Sequence, residues 1–255
     1  VLDGFDVYCA GDVIVGENIG ACKIVAEGNI EIGGGIKGKG KAQIFACGNI
    51  TTGYIEQARV EARGNITVRR NVALSRVYSA GSIILPSRGR VTSVAGSRLM
   101  ALNFIDVAEI GVESGRSETE LIMGFDYDLV RNNKRIQKRL VKVFKEIGSL
   151  NKEKEILLAK QPVNEEELLN IEERLNEILA VYDELLVFQN DILRRMETPV
   201  ESAMICRKAI YPISTIVFQG ATKKLTEKSA PIVMRKDFNS NSVVTEKYQT
   251  RRQYY

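Results

Sequence analysis

Along residues 9 to 98 the hydrophobic positions recur in one short phrase: a small residue, a spacer, Gly, a short polar residue and a β-branched residue. It reads Cys9-Ala10-Gly11-Asp12-Val13, Ala26-Glu27-Gly28-Asn29-Ile30, Ala46-Cys47-Gly48-Asn49-Ile50, Ala62-Arg63-Gly64-Asn65-Ile66 and Ser79-Ala80-Gly81-Ser82-Ile83, with glycine spacings of 17, 20, 16 and 17. Four residues before each glycine stand Val7, Ile24, Ile44, Val60 and Val77; two after it stand Val13, Ile30, Ile50, Ile66 and Ile83. β-Branched side chains suit a pleated, buried surface. A period this short holds two or three strands of about four residues, far less than a βαβ unit needs. Each repeat therefore predicts one coil of a β-solenoid, stable only when its neighbours stack on it. An ordinary β-sandwich with glycine turns is the alternative, but its strands would not repeat both sequence and spacing. The glycine beside Asn or Asp is expected to supply the left-handed or tight-corner geometry that turns the chain.

After Gly96 the repeat loosens, yet Leu99-Met100-Ala101-Leu102, Val107-Ala108-Glu109-Ile110-Gly111 and Thr119-Glu120-Leu121-Ile122-Met123-Gly124 still read as strands. The pattern then changes to a helical one. Apolar residues fall at Leu129, Ile136, Leu140, Val143, Ile147, Leu150 and Leu157, a heptad seam. Gln161-Pro162-Val163-Asn164 breaks it, Pro162 barring continuation and Asn164 offering a cap to Glu165-Glu166-Glu167. A second seam runs Leu168, Ile171, Leu175, Ile178, Tyr182, Leu185, Gln189, Ile192 and Met196. Two helices of similar length joined by a short turn fold back antiparallel. The first carries 10 basic and 5 acidic residues over 126–160 and the second 3 and 10 over 165–197, so opposite signs face each other. A four-helix bundle made by dimerisation is the alternative architecture.

Beyond Thr198-Pro199, Ala203-Met204-Ile205-Cys206 and Thr215-Ile216-Val217-Phe218 read as strands around Tyr211-Pro212, available to cover an open solenoid edge. Pro231-Ile232-Val233-Met234 and Ser242-Val243-Val244 suggest a hairpin about Asn239-Ser240-Asn241, and the Arg251-Arg252-Gln253-Tyr254-Tyr255 end reads as loose. The predicted organisation is a parallel β-helix over 1–124, a coiled-coil hairpin over 125–198, and strands over 199–255 that cap or pack on the β-helix and end in a basic tail.

Composition narrows the function classes. At 44% hydrophobic and 27% charged the chain is an ordinary globular protein. No run reaches the roughly 18 apolar residues of a membrane helix, and Val1-Leu2-Asp3-Gly4 is no signal peptide. Since the pattern is under way by Val7 and Val1 is not a methionine, the chain is expected to start inside a longer protein. There is no histidine, which removes Ser-His and Cys-His catalysis and weakens any zinc reading. Cys9, Cys22, Cys47 and Cys206 lack CxxC spacing and read as small buried hydrophobes. The excess positive charge sits in the tail, 10 basic to 4 acidic residues over 200–255, without the clustered basic face that nucleic acid needs.

The repeats, the string Gly53-Tyr54-Ile55-Glu56-Gln57-Ala58, the two heptad seams and Ala209-Ile210-Tyr211-Pro212 together resemble the flagellar assembly protein A family. The likeness covers roughly residues 7 to 218. One departure is that the family pattern tends to place Gly after Tyr-Pro, where this chain has Ile213. The resemblance implies a right-handed parallel β-helix with a projecting coiled-coil hairpin, in a cytoplasmic bacterial protein serving flagellar assembly, cell-pole organisation or motility control. It implies no catalytic residues, no cofactor and no metal.

Three chemistries compete with that reading. Gly33-Gly34-Gly35-Ile36-Lys37-Gly38-Lys39-Gly40-Lys41 lacks the Gly-Lys-Ser/Thr end of a phosphate-binding P-loop and reads as a coil corner with exposed lysines. A carbohydrate lyase or hydrolase would need Asp12, Glu31, Glu56, Glu61, Arg63 or Arg76 to converge on one face. A cytoskeletal polymer would need open coil ends. Against these, a non-enzymatic scaffold is favoured, its protein partner or second copy meeting off-seam apolar residues of the hairpin: Val141, Phe144, Leu179, Leu186 and Phe188.

Overall fold

The computed structural model describes residues 1–86, 91–114, 117–160 and 164–249. Two compact units emerge, Val1–Tyr127 with Pro199–Tyr255, and Asp128–Thr198. The expected break at Gln161-Pro162-Val163 and the loose tail at 251–255 lie outside the described residues.

The first unit is a β-solenoid, and its three faces follow from three stacked columns of apolar residues. On the first face Val7, Ile24, Ile44, Val60, Val77, Leu99, Leu121 and Ile216 pair in parallel register, one coil above the next. On the second, Val13, Ile30, Ile50, Ile66, Ile83, Ile105 and Met204 do the same. Ile19, Ile36, Ile55, Val72, Val94, Ile110 and Ile210 make the third. These side chains form one continuous core, with Ile24, Ile44, Ile50, Ile66, Val77 and Leu99 fully enclosed and Val7 and Val13 of the first coil partly so. A strand three or four residues long buries too little alone; stacking converts each inward methyl group into a contact on both sides.

The repeated glycine does a different job from the one expected of it. Gly11, Gly28, Gly48, Gly64 and Gly81 are not among the residues with positive φ. What fills the missing side-chain space of Gly28, Gly48, Gly64 and Gly81 is the Asp or Asn of the preceding coil. Asn29 N–H donates to Asp12 Oδ1 (2.6 Å), Asn49 N–H to Asn29 Oδ1, Asn65 N–H to Asn49 Oδ1 and Ser82 N–H to Asn65 Oδ1 (each 2.8 Å). A Cβ on Gly48 would lie 2.5 Å from Asn29 Oδ1 and 2.9 Å from the Gly28 carbonyl oxygen, and Gly28, Gly64 and Gly81 are blocked by Asp12, Asn49 and Asn65 in the same way. Glycine is thus the cost of running a polar ladder through the corner. A left-handed residue recurs instead at the corner between the third and first faces: Lys39 (φ 50°), Gln57 (48°), Leu74 (50°), Gly96 (57°), Gly111 (79°) and Ile213 (61°).

The hairpin interrupts a coil rather than following the last one. The chain leaves the first face after Thr119–Met123, and it returns as Ala203–Ile210, paired in parallel with Phe104–Ile110 on the second face. Gly124 N–H donates to Ala101 O (3.1 Å), Ala203 N–H to Asn103 O (3.1 Å), and a Cβ on Gly124 would stand 3.1 Å from Ser202 Oγ. The excursion therefore occupies the corner that higher coils build from Gly-Asx. Ala203–Ile210 and Ser214–Phe218, expected as edge covers, are parallel rungs of the solenoid itself. Covering falls to later strands: Ala221–Leu225 pairs antiparallel with Ser214–Phe218, Ile232–Asp237 with Ala203–Ile210, and Ser242–Lys247 with Ile232–Asp237.

Gly48→Ala should destabilise the unit by about 1–3 kcal/mol through overpacking against the ladder. Gly11→Ala, with nothing within 4 Å of its Cβ, should change stability by less than about 0.5 kcal/mol; equal urea midpoints for the two variants would contradict the ladder account. Ile213 is a β-branched residue, half exposed, in a left-handed conformation that costs on the order of 1–3 kcal/mol. Ile213→Gly should raise the unfolding free energy by about 1 kcal/mol after glycine's own entropic cost, measured by the same urea titration.

Candidate interaction surfaces

The second unit is a helical hairpin. Helix α1, Tyr127–Leu158, has its first residue in the solenoid unit; helix α2 is Glu165–Glu197. Asn164 caps α2, its side-chain oxygen accepting from Glu167 N–H at 3.3 Å, and Glu165, Glu166 and Glu167 place negative charge where the helix dipole favours it. Leu140, Val143 and Leu185 form one buried cluster and Leu150, Leu157, Ile171 and Leu175 another, with Ile147 and Ile178 packed against both. These are the heptad positions of the two seams meeting. Lys154 pairs with Glu172 across the helices at 2.6 Å, and Gln189 Nε2 donates to Asn133 Oδ1 at 3.4 Å. With opposite net charge on the two helices, antiparallel pairing gains at the rim as well as in the seam.

Of the five residues expected on a partner face, four are exposed: Val141 (56%), Phe144 (66%), Leu179 (42%) and Phe188 (63%). Leu186 is the exception. It is half-buried and packs into the cluster of Leu140, Val143 and Leu185, because it directly follows the seam residue Leu185 and its long side chain folds back over the stripe. Its packing makes it part of the hairpin's own core. Residues not singled out by the heptad reading, Ile156, Leu158, Leu169 and Val187, are also exposed. Phe144 leans towards Tyr182 of the other helix, ring centroids 6.5 Å apart.

On the solenoid, the outward column of the first face reads Tyr8, Val25, Phe45, Glu61, Tyr78, Met100, Ile122 and Val217. Its lower part is covered by Phe125 and Tyr127, and the Tyr127 ring stacks on Tyr78 at 4.2 Å, the planes 2° apart. Arg59 ties this patch together, bonding both Glu61 and the Tyr127 hydroxyl.

The acidic residues weighed for carbohydrate chemistry do not converge. Asp12 heads the corner ladder, Glu31 stands opposite Thr51 on the second face, Glu56 opposite Lys37 on the third, and Glu61 beside Arg59 on the first. Among the described residues no cluster of three or more His, Cys, Asp or Glu could hold a metal ion. Cys22 and Cys206 are buried as expected of small hydrophobes, whereas Cys9 and Cys47 are half-exposed. Burial pushes the Cys206 thiol up to about 11. Asp106 is raised too, by burial, with the guanidinium of Arg207 at 3.3 Å opposing the shift.

The family model that describes the Flagellar Assembly Protein A beta solenoid domain matches residues 1–241. The chain belongs to that family. Both the coils and the inserted hairpin of this FapA domain lie inside the matched region. No curated protein and no solved structure matches the chain. No helix among the described residues is long and apolar enough to cross a membrane.

In this FapA domain Leu186→Ala should cost about 1 kcal/mol or more of hairpin stability, as truncation of a packed side chain does. Phe188→Ser should leave it within about 0.5 kcal/mol. Helical ellipticity followed through urea unfolding separates them, and identical curves would return Leu186 to the exposed set.

Proposed function

We propose that this FapA domain is a non-enzymatic, cytoplasmic scaffold in which the solenoid is the rigid body and the hairpin makes the contacts, with a protein partner or with a second copy. Membership of the family makes it a flagellar-assembly-related protein; within that setting the reading extends to cell-pole organisation or motility control. The observation that carries it is the exposure of Val141, Phe144, Leu179 and Phe188 on a hairpin whose own seam is already filled. Large apolar side chains left in water on helices are read by partner helices or grooves at three- and four-residue spacing. A carbohydrate-active enzyme is disfavoured because the carboxylates sit on different faces, and an end-to-end polymer because antiparallel strands close the last coil.

The solenoid's closure across Gly124 and Ser202 supplies the test. Replacing residues Arg131 to Arg194 with a short glycine linker should leave a cooperatively folding solenoid, because the core columns include no hairpin residue. Sedimentation velocity and pull-down from cell extract should then show loss of self-association and of the captured partners. A truncated protein that still oligomerises and captures the same partners would move the contact surface to the solenoid.

A further inference from the structure

The corner between the second and third faces is built differently from the other two. Three residues after the inward Ile30, Ile50, Ile66 and Ile83 come Gly33, Gly53, Arg69 and Pro86. Two consecutive coils thus present no side chain here, and the next presents a pair of arginines, Arg69 and Arg70. The result is a groove of about 500 Å³ lined by Gly33, Thr51, Gly53, Thr67, Arg69, Arg70 and Pro86.

Both guanidinium groups are held by neutral partners. Arg69 Nη2 donates to the Ile32 carbonyl oxygen at 3.0 Å. Arg70 lies over the Tyr54 ring, 4.8 Å from its centroid, and close enough to Gly53 that a Cβ there would stand 3.2 Å from its Nη2. Tyr54 is itself fixed, its hydroxyl donating to Asn18 Oδ1 at 3.2 Å and its ring filling the space that a side chain at Gly35 would take. The two arginines therefore reach back over the earlier coils in set orientations with most of their donors unspent. Thr51 and Thr67, opposite each other in register, add two half-buried hydroxyl groups. No carboxylate lines the groove among the described residues; Glu31, the register neighbour of Thr51, stands outside the lining.

We propose that this groove binds a phosphate group carried by a small organic molecule. Guanidinium forks and hydroxyls are the donor set that matches a tetrahedral oxyanion. The volume lies within the range of small-molecule sites, about 300–1,000 Å³, and exceeds what a bare phosphate needs. Gly33 and Gly53, whose missing Cβ positions are taken by the backbone of Gly16 and Gly34, line the floor with main chain alone, and Pro86 supplies an apolar wall for the organic part. The glycine-rich stretch takes part here through the main chain of Gly33, without the helix N-terminus on which a P-loop depends.

Isothermal titration of the whole chain with inorganic phosphate, with citrate and with a nucleoside monophosphate tests this. The nucleotide should bind saturably, at least about tenfold tighter than inorganic phosphate or citrate, a difference of about 1.4 kcal/mol. Arg69→Gln with Arg70→Gln should weaken it by tenfold or more, while the thermal melt stays unchanged because both side chains are exposed. Thr67→Val should weaken it less. Absence of saturable nucleotide binding, equal binding of all three anions, or nucleotide affinity untouched in the double arginine variant would each overturn the proposal.

Discussion

Everything in the solenoid depends on one hydrogen bond made repeatedly: the backbone N–H after each repeat glycine donates to the side-chain oxygen of the Asp or Asn one coil earlier. Hydrophobic stacking pulls coils together and sets which residues face inward. The side-chain bond fixes the corner as well, because its oxygen occupies the space in front of the next glycine. Register, corner shape and the glycine are one constraint seen three ways. Where the ladder ends, at Ser82, the spacing loosens and the corners become individual: Asn103 takes over through backbone bonds, and one coil later the corner opens into the hairpin.

Much of this was legible in the sequence because stacked coils repeat their chemistry. The inward columns could be read off as Val7, Ile24, Ile44, Val60 and Val77 without knowing any geometry, since every coil solves the same packing problem. The heptad seams were legible for the same reason. The purpose of the glycines was not, because a glycine demanded by a neighbouring coil looks the same in sequence as one demanded by its own φ. The groove at Arg69 and Arg70 was obscured differently: its residues are spread over 33–86, and only alignment of the repeats brings Gly33, Gly53 and Arg69 to one offset. Leu186 was misplaced because strict steps of three and four leave no room for a side chain that covers the seam from one position beyond it.

The hairpin shows why insertion into a solenoid is inexpensive. A corner contributes no inward residue, and its two ends already lie one turn of chain apart, so a long excursion adds loop-closure entropy that grows only slowly with length. Gly124 and Ser202 preserve that closeness. The core columns run on through Leu121, Met204 and Ile216 without interruption.

The corner ladder also has a sense of direction. Each N–H points from one coil towards the one before it, so the amide dipoles add along the stack, and the side-chain amides of Asn29 and Asn49 donate the same way at 3.2 Å. Aligned dipoles of this kind put partial positive charge at the end towards which the hydrogens point. The residue standing there is Asp12, the only carboxylate among Asp12, Asn29, Asn49 and Asn65. A column of aspartates would repel itself and lack the amide donors; a column of asparagines would leave its positive pole without a counter-charge. One acid followed by amides sets a full negative charge on the side towards which the ladder's hydrogens point, as an acidic first turn does for an α-helix.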